Sequence, residues 1–324
     1  MGISSRIGTI AIGKQSAKGT PASVPTVKFR TAGAPSIMPI KDRARLNMTD
    51  SGRDGGDSYT SQMRIEGSFP VYMHPDGLGM VFGACLGTVV ESGTTPNYTH
   101  TITPGNDMLW VTIWRMVGGV ITERYEDCKI TSIQIESTAG SPPVMTIGVI
   151  GLTATFEATD TVLSAITTFP YLHMDACNRI KFDTIDYRIG RVSLGIENGA
   201  AGFQADCYTF SDIDPGNREV TLAALLRFGG PTTFPKYREH YYGSDAGTTL
   251  SAVVATHAFE ITYYSSANLS CQILLPQVRF AAVPVNADPG GDPIEIDLTT
   301  IVEKPAASPI MSVVIKDQKA TFDV

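Results

Sequence analysis

The order of predicted secondary structure occurs twice along this chain of 324 residues. In each half a strand leads through a polar loop to a second strand, then to a short helix ended by glycine, and then to paired strands. The first copy places its loop at residues 50–57 and its helix at 76–86, and the second at 211–217 and 233–242. Few residues are identical between the copies, so it is the order of elements that repeats. Two similar β units on one chain can close a ring with half the usual number of subunits.

The strand predictions rest on β-branched and aromatic enrichment and on alternation of apolar and polar residues. In the first half the predicted strands are 45–48, 63–72, 98–103, 109–117, 129–136 and 144–156. In the second half they are 188–197, 219–228, 259–264, 270–281, 294–303 and 310–315.

Two of these strands show one apolar and one polar face. Within residues 129–136, Thr131, Ile133 and Ile135 share a face, and the residues between them are polar. Residues 188–197 alternate in the same way. This pattern predicts sheets that pack on one side and face water on the other.

The length and composition favour two folded domains. The chain is 43% hydrophobic and 18% charged, which is typical of a globular protein with buried cores. Residues 1–40 resist regular assignment because they are rich in small residues and proline, and they are predicted to form an extended arm ordered by a neighbouring subunit. The predicted organisation is an arm at 1–40, a first β domain at 41–165 and a second at 166–324.

Charge, cysteine content and hydropathy exclude several classes of protein. The net charge of −7 argues against binding of nucleic-acid phosphates. The five cysteines are odd in number and form no C-x-x-C pair, which favours reduced, buried thiols and a reducing cytoplasm. The sequence shows neither a signal peptide nor an apolar run long enough to span a bilayer, so a soluble intracellular product is expected.

The motifs of enzyme chemistry are incomplete. Residues 8–14 have the glycine and lysine spacing of a phosphate-binding loop, but Gln15 stands where a Ser or Thr hydroxyl should meet magnesium. The loop 50–57 resembles the start of a calcium loop, yet Ser61 occupies the position of the chelating Glu. No two histidines have metal-ligand spacing. We therefore predict no catalytic residues, no cofactor and no metal.

A family resemblance runs along much of the sequence. Residues 10–22 resemble the opening segment of tail tube (major tail) proteins of long-tailed bacteriophages with non-contractile tails. Residues 69–87, 127–136, 273–279 and 294–309 are similar to other parts of the same proteins.

The resemblance implies a mainly β fold of two tandem tail-tube-like β-sandwich domains, each with a short flanking helix, whose inner strands join those of neighbours in a ring barrel. It implies a structural virion protein that self-assembles into stacked rings, which form the hollow tail tube and conduct DNA during ejection. Two units per chain imply trimeric, pseudo-hexameric rings, with hexameric rings as the alternative. The implied partners are other copies of the chain, a tape measure protein and tail-end proteins. DNA would pass without specific binding, and assembly would occur in the host bacterial cytoplasm without a membrane.

The same resemblance suggests roles for particular residues. They are Asp50, Arg53, Asp54 and Asp57 in a loop between stacked rings, Lys14, Gln15, Lys18 and Thr20 in an arm between subunits, and Glu136 and Glu197 facing the lumen.

Two alternatives stay open at the level of sequence. One is another β-rich ring component of a phage or bacterial appendage, and the other is a carbohydrate-binding or adhesive β-sandwich. An adhesin would more often carry exposed aromatic residues in loops. Trp110 and Trp114 instead lie four residues apart in a predicted strand, so both are expected to point into one core.

Overall fold

The structure is a computed structural model, and it describes residues 8–46, 57–117, 121–157, 171–174, 180–205, 208–227, 230–253, 255–283, 285 and 295–322. In the first half the elements are β1 (Gly8–Lys14), β2 (Val27–Arg30), β3 (Met38–Arg45), β4 (Ser58–Tyr72), α1 (Pro75–Leu86), β5 (Gly87–Thr94), β6 (Asn97–Pro104), β7 (Val111–Val117), β8 (Ile121–Thr138) and β9 (Val144–Glu157). In the second half they are β10 (Ile180–Phe182), β11 (Ile185–Asp186), β12 (Ile189–Glu197), β13 (Ala201–Phe203), β14 (Asp212–Asp214), β15 (Glu219–Arg227), α2 (Gly230–Tyr242), β16 (His257–Ser266), β17 (Leu269–Ala282), β18 (Glu295–Val302) and β19 (Ser312–Asp317).

The mainly β prediction is confirmed, and most predicted elements occur within a few residues of their expected bounds. The helix predicted at 76–86 is α1, and the helix predicted at 233–242 is the C-terminal part of α2. The strand predicted at 129–136 is the second half of the longer β8.

Eight strands from both halves form one antiparallel array. The neighbours are, in order, β3, β4, β9, β8, β12, β15, β18 and β17. The first four strands belong to the first half and the last four to the second. The halves meet where β8 pairs with β12, from Ser132 opposite Glu197 to Thr138 opposite Arg191. A single hydrogen-bonded array therefore crosses the boundary between the two halves.

The remaining large-sheet strands extend this array on its other sides. β1 pairs with β2 and β7, and β7 pairs with the first part of β8. β16 lies between β10 and β17, while β5, β6 and β19 connect the first half back to β17. Within the described residues, the two halves are thus joined by two strand pairings, β8 with β12 and β6 with β19, and by a single bridge between Met63 and Thr209.

The N-terminal segment differs from the irregular arm that the sequence predicts. Ile10 and Ile12 of β1 are fully buried, and β1 pairs with β7 along its whole length. Seven residues flanked by glycine carry a weak local strand signal, and their order comes from tertiary pairing with distant strands. Residues 8–14 are therefore part of the chain's own sheet.

The buried faces of the array pack against α1. One apolar cluster contains Ile133 and Ile135 of β8 and Leu194 of β12 together with most of the helix. Gln134 and Glu136 on the opposite face of β8 are exposed, which confirms the predicted alternation. One array face is thus buried and the other is presented outward.

The two tryptophans are buried to different extents. β7 begins directly after Trp110, at Val111. Trp114 is buried, whereas Trp110 is half-buried and packs on a second, smaller apolar cluster that includes Ile150.

The C-terminal segment packs on α1 at two of its glycines. A Cβ added at Gly79 or Gly83 would lie 3.1 or 2.8 Å from the Phe322 side chain. The backbone N–H of Phe322 donates to Glu91 (2.8 Å), and the Lys14 ammonium lies 4.9 Å from the centre of the Phe322 ring. The glycines that weaken this helix locally make room for the end of the chain.

A buried histidine holds the same segment. Nε2 of His100 lies 3.0 Å from Oδ1 of Asp317 and 3.1 Å from the carbonyl oxygen of Lys319, and Nδ1 lies 3.8 Å from Glu91. Burial disfavours the charged ring, but the hydrogen bond and charge of Asp317, with the charge of Glu91, outweigh it and raise the pKa of His100. The imidazole of His100 therefore ties β6 to the C-terminal segment.

We expect the C-terminal segment to open more readily at alkaline pH. A raised pKa in the folded state stabilises it fully below the ordinary histidine pKa of about 6.5. This stabilisation is lost as the pH rises through the folded-state value. Hydrogen exchange of amides 317–322, corrected for intrinsic rates, should show several-fold lower protection at pH 8 than at pH 6. In His100→Gln the pH dependence should disappear, and an unchanged dependence there would assign it to another group.

Candidate functional site

The outward face of the eight-strand array carries both predicted lumen residues. Glu136 lies opposite Ser193, whose hydroxyl donates to it over 2.6 Å, and Glu197 lies opposite Ser132. Gln134 donates to both Glu136 (3.0 Å) and Ser193 (2.8 Å). The two carboxylates thus sit on one face of the strand pair that joins the halves.

Like charges are placed side by side on this face. Glu197 lies directly opposite Glu219 of β15, and both are exposed. Partial burial and the neighbouring Glu219 raise the pKa of Glu197. Like charges in directly opposed positions destabilise a sheet. Because the Glu197–Glu219 pair does not stabilise the fold, its negative charge points to a role in function.

The face carries further acidic residues toward its far edge. Glu295 and Asp297 of β18 are exposed there, and the Arg191 guanidinium approaches Asp297 to 3.8 Å. The charge balance of the second-half part of the face is therefore acidic. Such a surface repels phosphate groups.

One end of the face is covered by the hairpin of β13 and β14. Phe210, in the segment between β13 and β14, and Ile213 of β14 pack on Ile150 of β9. The buried Lys129 donates to the Ile213 carbonyl oxygen (2.8 Å), and its ammonium lies 4.3 Å from the centre of the Trp110 ring. Burial lowers the pKa of Lys129. The hydrogen bond from Lys129 to Ile213 thus joins the first half to the second beside an apolar cluster.

The junction between the halves is fixed by one buried side chain. Nδ2 of Asn198 donates to the carbonyl oxygens of Cys85 (2.9 Å) and Ile130 (3.3 Å), and its Oδ1 accepts from Nε of Arg218 (2.8 Å). Its backbone N–H donates to Thr131 (2.8 Å). Asn198 thus joins α1, β8 and the start of β15.

The array has two outer edges. Among the strands that the structure describes, β3 pairs only with β4, and β17 beyond Val278 pairs only with β18. β3 contains Pro39 and four charged residues, a composition typical of protected edges. These two edges lie at opposite ends of the eight strands.

The predicted arm residues contact the chain itself. With its amide oriented to satisfy both partners, Gln15 donates to Asp127 (3.1 Å) and accepts from the Thr112 hydroxyl (2.9 Å). Lys18 forms an ion pair with Asp212 at 3.1 Å. Thr20 is exposed in a turn. Gln15 thus contacts the first half of the chain, and Lys18 contacts the second.

Most of the predicted stacking loop lies outside the described residues, including Asp50, Arg53 and Asp54. Asp57 is exposed at its end, where its carbonyl oxygen accepts from the N–H of Leu46 (2.8 Å). β3 and β4 therefore form a hairpin, and this bond lies at the loop end of its described part.

Sequence reasoning did not identify the edge strand β3 or the junction residue Asn198. The proline and the charges of β3 are a signal that could have marked an edge strand. Asn198 carries no such signal, because its partners are backbone carbonyls from residues more than sixty positions away.

Neither described helix is long and apolar enough to cross a membrane. Within the described ranges, no three or more His, Cys, Asp or Glu residues are arranged to hold a metal ion. A family model described as phage tail tube protein matches residues 5–301. No curated protein matches the chain.

Proposed function

This chain belongs to the phage tail tube protein family, which makes it a structural protein of the virion tail, and we propose that it closes into rings that stack as the hollow tube of a non-contractile tail. The tube would conduct DNA during ejection. The observation that carries the proposal is the eight-strand array, which has an acidic outward face and outer edges at opposite ends.

Ring closure follows from the position of those edges. A contact between two different edges of one subunit is heterologous, and it generates a ring if the rotation closes. Pairing also removes the exposed backbone groups that make sheet edges prone to aggregation. The array would then continue from subunit to subunit as a barrel.

We propose three subunits in each ring. The two halves, for which we propose the units 41–165 and 166–324, each contribute four strands to the array, although β3 already begins at Met38. Each chain would then supply two of six similar sectors. Rings of six chains are the alternative.

The acidic face is proposed to line the lumen, with Glu136 and Glu197 among its carboxylates. DNA slides through a channel most easily where phosphates find few cationic partners. This role needs no catalytic residue and no cofactor, so we propose that the chain is not an enzyme.

Further contacts are proposed from the family resemblance. The loop with Asp50, Arg53, Asp54 and Asp57 would bridge stacked rings. The segment with Lys14, Gln15, Lys18 and Thr20 would reach a neighbouring subunit through its exposed members Lys14, Lys18 and Thr20, whereas the Gln15 side chain is buried in its own chain. A tape measure protein and tail-end proteins would set tube length, and assembly would take place in the host bacterial cytoplasm.

Negative-stain electron microscopy of the purified chain with rotational averaging tests the proposal. We expect hollow rings or tubes with three-fold modulation. Rings of six full-size subunits would keep the tube function and reject the trimer. A persistent monomer that binds glycans would instead favour the adhesive alternative.

A further inference from the structure

The two halves of the array contain the same irregularities at matching positions. In β8 the pairing with β7 shifts between Cys128 and Tyr125, and in β17 the pairing with β16 shifts between Val278 and Leu275. Both shifts place two residues of one strand opposite one residue of the other. Cys128 therefore corresponds to Val278.

A second irregularity confirms the correspondence. The pairing of β8 with β9 shifts between Ile130 and Ser132, and that of β17 with β18 shifts between Phe280 and Ala282. Each lies at the same distance after the first shift. Ser132 therefore corresponds to Ala282.

The edge strand β3 corresponds to β12 by the same comparison. Ile150 pairs with Glu66, which pairs with Met38; Ile301 pairs with Thr221, which pairs with Gly195. Ile150 and Ile301 are themselves equivalent, because they pair with Lys129 and Arg279 of the two matched strands. Met38 thus matches Gly195, and two residues further along Ile40 matches Glu197.

Inside the chain, β8 already pairs with β12, with Ser132 opposite Glu197. The matching strands β17 and β3 lie at the two ends of the array. Resting on the ring proposed above, we infer that the end of β17 in one copy, with Val283 and Val285 that follow it, pairs antiparallel with the start of β3 in the next copy, in this same register. Ala282 then lies opposite Ile40, Val283 opposite Pro39, and Val285 opposite Ile37, the residue before β3.

The exposure of Ile301 supports a neighbouring copy at this place. Its counterpart Ile150 is 9% exposed because Phe210 and Ile213 of the second half cover it. Ile301 is 55% exposed. The second half thus exposes Ile301, whereas the equivalent Ile150 of the first half is covered by residues of the second half. The next copy, which brings its β3–β4 hairpin to this position, supplies the missing cover.

The backbone of β3 is also oriented for this contact. Lys41 lies opposite Met63, but the N–H of Met63 donates to the carbonyl oxygen of Tyr208 (2.6 Å), away from β3. Lys41 and Met63 are therefore a pair without mutual hydrogen bonds, so the N–H of Lys41 points outward. Asn198 is the counterpart of Lys41, and its backbone N–H donates to the carbonyl oxygen of Thr131. Lys41 then donates to Ala281 of the next copy, while Pro39 can make no such bond.

Cysteine cross-linking tests the register. Directly opposed strand residues lie within the Cα distance that a disulfide needs, whereas residues displaced by two positions are about 7–8 Å apart. Chains carrying Ala282→Cys, mixed with chains carrying Ile40→Cys, should give covalent dimers on mild oxidation, and the double variant should lose its monomer band to closed oligomers. Each single variant alone controls for the native cysteines.

Two matched pairs calibrate the result. Ser132→Cys with Glu197→Cys should form an intrachain bond, since these residues are opposed within one chain. Ala282→Cys with Met38→Cys lies two residues off register and should link poorly. Rings that cross-link at Met38, or at neither position, would overturn the register and leave the tube function standing. Absence of both rings and cross-links, with the intrachain control formed, would reject register and function together.

A backbone variant gives an independent readout. Lys41→Pro removes the outward N–H and leaves the β3–β4 bonds in place, so it should fold but lose ring formation. Lys41→Ala keeps the N–H and should assemble. Equal assembly of the two variants would contradict the inferred bond.

Discussion

Asn198→Leu is expected to lower the free energy of unfolding by about 3–5 kcal/mol, because several buried polar groups lose their partner at once. The carbonyl oxygens of Cys85 and Ile130 lose their donor, and the Arg218 guanidinium loses its side-chain acceptor. Burial lowers the pKa of Arg218, because desolvation disfavours its charge. Chemical denaturation of purified monomer measures the effect.

A surface change and a double mutant separate the causes. Asn268→Leu makes the same substitution in an exposed turn and should change stability by less than about 0.5 kcal/mol. Combining Asn198→Leu with Arg218→Leu should cost less than the sum of the two, because the second change removes a charge that the first leaves unpaired. Additive losses would show that Asn198 and Arg218 act independently.

Local pattern was sufficient for the strands of the array other than β3. The alternation around Ile133 and Ile135 identified a strand and its buried face, and Gly87 marked the end of α1. These signals are local, because side chains alternate between the two faces of a strand and a glycine commonly ends a helix.

Contacts between distant residues could not be predicted in the same way. β1 is ordered by β7, a hundred residues away, and its own sequence resembles an arm. Trp110 is half-buried and packs on a cluster that contains Phe210 and Ile213 of the second half. In both cases a distant partner decides the structure, and local propensity does not contain that information.

The candidate site divides along the same line. Glu136 and Glu197 were found because exposed polar faces follow from alternation. The edge of β3 and the junction at Asn198 depend on which strands become neighbours. The repeat of element order indicates which strands are equivalent in the two halves. It shows which strands become neighbours only once the residue-by-residue pairing is known.

Gly67→Ala is expected to displace the start of β3 and to abolish ring assembly. Gly67 has φ +144°, which a residue with a side chain adopts only with strain. Its added Cβ would lie 2.6 Å from both the Ile37 Cα and the Ser36 carbonyl oxygen. Both are backbone atoms, so relief requires moving the segment that leads into the edge strand, and Ile37 is fully buried there.

We expect a loss of about 3 kcal/mol or more in the free energy of unfolding, or about 5 °C in Tm, because backbone strain and steric conflict add. Gly140→Ala separates the two effects. Gly140 has φ +82° with nothing within 4 Å of the added Cβ, so it should lose only about 1 kcal/mol and still form rings. If both variants lose equal stability and both assemble, the close approach of β4 to residues 36–37 does not position the edge on which the ring depends.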